Sequence, residues 1–329
     1  MAARTAQTHA MFHVIIFAPL IEICSDKYRR GRRSGLSAAA NLQTSSHMMN
    51  AEKTNYDLLY NPRLVVTGFE RIFDRWERDS ERARAALDCY LDVPYGATEA
   101  EKLDIFRAQG DSKGLLMFIH GGYWRSLDKR RFAFIAPAFV EAGITVAIPN
   151  YALCPAVQVE NIVMQMVQAC AWLHRNAGNF GAPANRLHLC GHSAGGHLAA
   201  MMLCCEWPRY SPDLPEKVVA AALSISGLYD LTEIVKVPSV NCDVRLSEKS
   251  ALKVSPAFMP PATDAPLFTA VGGDENEGFH IQNRLIADRW GKTGRTDISC
   301  PGENHFSVLD HLCSPNSGLF KGALEMIAA

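Results

Sequence analysis

The stretch Arg186-Leu187-His188-Leu189-Cys190-Gly191-His192-Ser193-Ala194-Gly195-Gly196-His197-Leu198 decides how this chain folds. Residues 186–190 read as a short strand. An Ala-rich segment after Gly195 reads as a helix, and Ser193 stands at the corner between them. So tight a strand-to-helix turn strains the serine backbone, and Gly191 and Gly195 flank it because a side chain at either place would clash. The turn lifts the Ser193 hydroxyl clear of the sheet. A serine in that position is a candidate nucleophile, with the following amide N–H groups aimed at the same point.

Outward from this corner the pattern alternates. Upstream, Phe69, Ile72, Phe73 and Trp76 recur at helical spacing. Strand-like runs follow at 89–93, 102–106, 114–119 and 144–148, with helices over 131–142 and 159–176. Downstream, strands at 218–226, 267–271 and 296–300 enclose a helix over 279–290. Apolar strands interleaved with helices predict a mostly parallel central sheet covered on both faces. Residues 231–261 break the rhythm with four prolines and scattered charge, and read as a small lid over the carboxyl edge of the sheet.

Two further motifs supply chemistry that Ser193 lacks alone. His120-Gly121-Gly122-Tyr123-Trp124 follows a buried run, as an oxyanion loop does. The amides of Gly121 and Gly122, with that of Ala194, would receive the charge that develops on a substrate oxygen. Tyr123 and Trp124 are placed to wall the substrate pocket, and His120 reads as a brace for the loop. A general base is needed late in the chain. Asn304-His305-Phe306 provides it just after the last strand, whereas His311 falls on the next helix. The acid that orients His305 should follow the preceding strand, where Asp274 and Glu275 are adjacent; neighbouring side chains diverge, so only one can reach. His192 and His197 read as local packing or hydrogen-bonding groups.

The 329 residues carry a formal net charge of −1, which gives no electrostatic reason to expect nucleic acid or an anionic membrane as a partner. A small-molecule substrate is the expected partner, and the sequence leaves a homodimer open. Ten cysteines show no Cys-x-x-Cys pair and no zinc spacing, so reduced thiols in a cytoplasmic protein with no metal and no cofactor are expected. The apolar run 11–23 is too short to cross a bilayer, which takes about 20 apolar residues. Residues 1–48 are therefore expected to be a disordered extension, and 49–329 a single domain.

With these motifs placed, the chain resembles the kynurenine formamidase (arylformamidase) branch of the α/β-hydrolase fold over about residues 56–312. The likeness rests on Tyr60-Asn61-Pro62-Arg63, the loop 120–124, the corner 191–198, Asn241, Leu246 and Ser255-Pro256 in the lid, and Asn304-His305-Phe306. In that family the acid stands four residues after a valine like Val271, which implies Glu275; animal members carry aspartate there. The resemblance implies hydrolysis of N-formyl-kynurenine to kynurenine and formate through a Ser193–Glu275–His305 triad and an acyl-enzyme. The same machinery would serve a carboxylesterase acting on small-acid esters. A non-catalytic binding module, by contrast, typically loses the serine or the histidine, and both are present.

Overall fold

The apolar runs become the strands of one eight-stranded sheet in a computed structural model that describes residues 54–183, 185–291 and 296–329. The expectations for residues 1–48 lie outside the described residues. The strands are β1 (Cys89–Pro94), β2 (Lys102–Phe106), β3 (Leu115–Ile119), β4 (Thr145–Pro149), β5 (Leu187–His192), β6 (Val219–Ile225), β7 (Leu267–Gly272) and β8 (Thr296–Cys300). Their spatial order is β1-β2-β4-β3-β5-β6-β7-β8. β2 runs antiparallel to both β1 and β4, and the rest are parallel. This is the α/β-hydrolase architecture.

Every residue of β3, β4 and β5 is buried. That is why these strands read as continuous apolar runs rather than as alternating ones: both faces are covered. Along β3, Leu115, Met117 and Ile119 enter one core, and Leu116 and Phe118 the other. The first core holds the helices Val159–Asn176 and Ala194–Leu203. The second holds Phe73 and Trp76 from the helix Phe69–Ala86, together with Phe320 and Met326 from the helix Gly318–Ala328. All ten residues of Ala194–Leu203 are buried, so this helix is apolar all round instead of striped.

The order of strands reverses between β3 and β5, because β4 follows β3 on one side while β5 lies on the other. Such a switch point opens a crevice beyond the carboxyl ends of the strands, where parallel sheets place their ligands. Gly121 follows β3 and Ser193 follows β5 directly into that crevice.

Two local expectations change. Residues 129–135 wind as a 3₁₀ helix, and the α-helix occupies only Ala136–Glu141. Pro137 explains the split, since proline is tolerated in the first turn of an α-helix but not further in. The lid resolves into the short helices Thr232–Val235, Pro238–Val244 and Glu248–Lys253 and the 3₁₀ turn Pro256–Phe258. It is firmly seated. Leu231, Ile234, Val237, Val240, Ala251 and Val254 are fully buried, and Ala257 N donates to Tyr229 O at 3.0 Å. Among the described residues, no helix is long and apolar enough to cross a membrane. The nine described cysteines are free thiols.

Candidate active site

The corner at Ser193 is built by exclusion of side chains around it. Ser193 adopts φ 56° and ψ −119°, a conformation that costs a non-glycine residue about 1–3 kcal/mol. A Cβ on Gly195 would lie 1.9 Å from the carbonyl oxygen of Ile119, and one on Gly191 would lie 2.0 Å from that of Gly195. Only glycine lets β3, β5 and the following helix meet this closely. Ser193 N donates to Ile225 O at 2.8 Å, which ties the corner to β6. Ala194 is the first residue of the helix, so its N–H has no acceptor within the helix.

The groups beyond the other strand ends converge on the same place. His305 follows β8, and its Nδ1 lies 2.6 Å from Oε2 of Glu275, which follows β7. The other carboxylate oxygen of Glu275 accepts from Ser226 Oγ at 2.5 Å and from Gly272 N at 2.7 Å. The carboxylate is thus saturated by three donors and buried. Asp274, its neighbour, is exposed to solvent. With Nδ1–H given to Glu275, Nε2 is the basic nitrogen of His305. The His305 ring stacks obliquely on Phe279, with centroids 4.3 Å apart. His192 donates from Nε2 to the backbone oxygen of His305 at 2.7 Å, and burial, followed by the neighbouring His305, holds its pKa well below the usual imidazole value.

The loop after β3 is clamped from several sides. The His120 ring lies between Phe132 and Tyr151, with centroids 5.5 and 4.3 Å away, and its Nδ1 donates to Gly121 O at 2.8 Å. Tyr151 Oη donates to His120 O at 2.8 Å. Gly122 has φ 108°, and its oxygen accepts from the amides of Arg125 and Ser126, both at 3.1 Å. Gly121 approaches Ser193 so closely that an added Cβ would be 3.1 Å from the serine Cβ.

Ser193, His305, Gly122 and Tyr123 line one cavity of about 30 Å³, room for about two waters at ~10–15 Å³ each. Gly121 and Ala194, the chain neighbours of Gly122 and Ser193, are not among its lining residues. Trp124 requires a correction. Both Tyr123 and Trp124 have positive φ, 52° and 55°, and this left-handed turn carries Trp124 away from the cavity. The indole is fully buried and donates from Nε1 to His197 Nδ1 at 3.2 Å. His197 in turn donates from Nε2 to Val254 O at 2.7 Å, and burial lowers its pKa to about 4. Trp124 and His197 therefore pin the corner helix to the lid rather than forming pocket wall.

Sequence reasoning also left functional neighbours unassigned. Ser226, at φ 52°, and Phe279 hold the acid and the base, and nothing in their local sequence marks them. The other cavity wall comes from Asn61, Pro62 and Arg63 and from Phe73 and Trp76, all upstream of the sheet. The motif 60–63 was a signal for this wall, but without a role attached. No lid residue lines the cavity; the lid touches its rim through Asp243, 2.6 Å from Arg125.

A buried serine, histidine and glutamate beyond β5, β8 and β7 of this sheet define a hydrolase of the α/β-hydrolase class. The BD-FAE family model matches residues 103–257. Kynurenine formamidase of Danio rerio is 32% identical over 259 residues, covering 75% of this chain and 85% of that protein. Esterase LipQ of Mycobacterium tuberculosis is 32% identical over 150 residues, covering 43% of this chain and 36% of that one. A crystal structure from Silicibacter sp. TM1040, described as a candidate thioesterase, shares 30% identity and superposes with a TM-score of 0.73, covering 82% of this chain and 98% of the other. The chain belongs to the kynurenine formamidase family.

Proposed function

We propose that the chain hydrolyses N-formyl-kynurenine to kynurenine and formate, with Ser193 as nucleophile, His305 as general base and Glu275 as the acid that orients it. Ser193 Oγ attacks the formyl carbon while His305 Nε2 takes its proton. The carbonyl oxygen becomes an oxyanion facing the amides of Gly121, Gly122 and Ala194. The same proton then passes from His305 to the aryl nitrogen, the C–N bond breaks, and kynurenine leaves a formyl ester on Ser193. Water, deprotonated by His305, attacks that ester; His305 then returns the proton to Ser193 Oγ as the ester bond breaks and formate leaves. An aryl amide suits this chemistry because its ring competes for the nitrogen lone pair and weakens the amide resonance.

The observation that carries this reading is the 32% identity to the Danio rerio kynurenine formamidase over 85% of that protein. The cavity lined by Ser193, His305 and Tyr123 supports it, with Tyr123 available to the substrate ring. The nine free thiols support a cytoplasmic setting. The ester reading is favoured by the similarity to LipQ, which covers 43% of this chain against 75% for the Danio rerio formamidase, and by the Silicibacter structure, which covers 82%. Turnover of N-formyl-kynurenine and of p-nitrophenyl acetate by one purified preparation separates the two. A kcat/KM on the formamide well above that on the ester supports the proposal; turnover of the ester alone rejects it.

A further inference from the structure

We propose, resting on the formamidase reading above, that Arg63 anchors a carboxylate carried by the substrate and so selects carboxylate-bearing formamides over those without one. Arg63 lines the same cavity as Ser193 and His305. The short 3₁₀ turn Pro62–Leu64 presents it, and that turn is fixed by Asn61, whose side chain accepts from Arg63 N at 3.2 Å. Arg63 is exposed, and its guanidinium lies 5.7 Å from the ring centroids of both Phe69 and Phe73, the second of which also lines the cavity. Among the described residues its side-chain hydrogen bond is a long one, 3.4 Å to Ser126 Oγ.

The charge count around it is unbalanced. Arg125 has Asp243 at 2.6 Å, and Arg131 has Glu77 at 2.6 Å. Arg63 has no carboxylate within ion-pair distance among the described residues. Partial burial of the guanidinium is the main cause that pushes its pKa down, with Arg125 and Arg131 adding to it. A planar guanidinium held in this way lacks only the partner that suits it best, a bidentate carboxylate. Kynurenine derivatives carry one, on the flexible arm attached to the ring. The contact also reaches the reaction centre, because Ser126 Oγ donates to Gly122 O at 3.0 Å in the oxyanion loop.

The test compares the deaminated analogue of N-formyl-kynurenine, a net anion, with its carboxamide, which is neutral, using wild type, Arg63→Gln and Arg63→Lys. Both substrates draw on the same folded fraction, so the ratio of their kcat/KM values is independent of any loss of folding. Removing a charge-assisted contact should lower the charged-to-neutral ratio about 10- to 100-fold in Arg63→Gln, mainly through KM. Arg63→Lys, with a point charge but no fork, should keep part of the preference. Added salt should lower the ratio in wild type and leave it level in Arg63→Gln. A fall of less than about tenfold, or an equal salt response in both proteins, overturns the anchor. If the wild type hydrolyses esters only, the formamidase reading fails by itself. Arg63 is then judged by the same ratio on a carboxylate-bearing and a neutral p-nitrophenyl ester.

Discussion

Replacing Glu275 by glutamine changes one atom and should nearly silence the enzyme. The Oε1 side of the carboxylate accepts from Ser226 Oγ at 2.5 Å and Gly272 N at 2.7 Å, while Oε2 receives His305 Nδ1–H at 2.6 Å. An amide has one oxygen, and two fixed donors claim it. Its NH₂ group must then face Nδ1, which can meet it only as an acceptor. The proton of His305 moves to Nε2, and the nitrogen that should take the Ser193 proton is already protonated. The equivalent exchange of acid for amide in a serine-protease triad lowers kcat about 10⁴-fold, or about 5.4 kcal/mol in the activation barrier. Glu275→Gln should therefore reduce kcat on N-formyl-kynurenine by roughly 10³- to 10⁴-fold with little change in KM, because the acid does not touch substrate. Progress is followed by the absorbance of kynurenine, and the melting temperature of each preparation shows whether the fold survives. A folded variant with kcat within about tenfold of wild type would refute the assignment of tautomer and acid alike.

Three other outcomes follow from the same structure. Gly195→Ala places a Cβ 1.9 Å from Ile119 O, so the corner must distort; the variant should be inactive and less thermostable, and full activity in a kinetic assay would contradict the packing. Lys129 and Asp104 form an ion pair with side chains only 3% and 2% exposed, and Asp92 joins at 2.7 Å. Lys129→Met leaves Asp104 buried and unpaired and should cost about 3–5 kcal/mol in urea denaturation, whereas a loss below ~1 kcal/mol would show that the pair is dispensable. Acid should destabilise the protein through His197, whose pKa is about 4 when folded against 6.5 as a free imidazole. Between those values the unfolded chain binds more protons, so stability is full above the unfolded pKa and declines as pH falls through the window. The loss from this residue is about 2 kcal/mol between pH 7 and pH 5, and a urea midpoint with the same pH dependence in His197→Gln would exclude it.

Legibility in the sequence divided along physical lines. The strands from 115 to 300 and the corner at Ser193 could be read because burial on both faces writes continuous apolar runs, and because a strained serine demands glycines at fixed offsets. His305 could be placed by its position after the final strand. Trp124 could not be read correctly, because its direction depends on two successive left-handed residues, and sequence rules do not expect φ > 0 at tyrosine and tryptophan. The 3₁₀ winding of 129–135 was encoded in Pro137, yet the helical periodicity of the segment masked it. Ser226 reaches Glu275 because β6 lies beside β7, and Phe279, on the helix that follows Glu275, meets His305 because β8 lies beside β7, long-range facts with no local signature. The wall formed by Asn61, Pro62 and Arg63 has the same origin, since it closes a cavity whose floor lies more than a hundred residues downstream.

The account stands most directly on the chemistry of Ser193, and active-site titration with a fluorophosphonate measures it. One phosphonyl group should attach per chain, map to the peptide containing Ser193, and abolish N-formyl-kynurenine hydrolysis in proportion to the labelled fraction. Undiminished formamide hydrolysis by fully labelled protein, or hydrolysis that survives in Ser193→Ala, would contradict it.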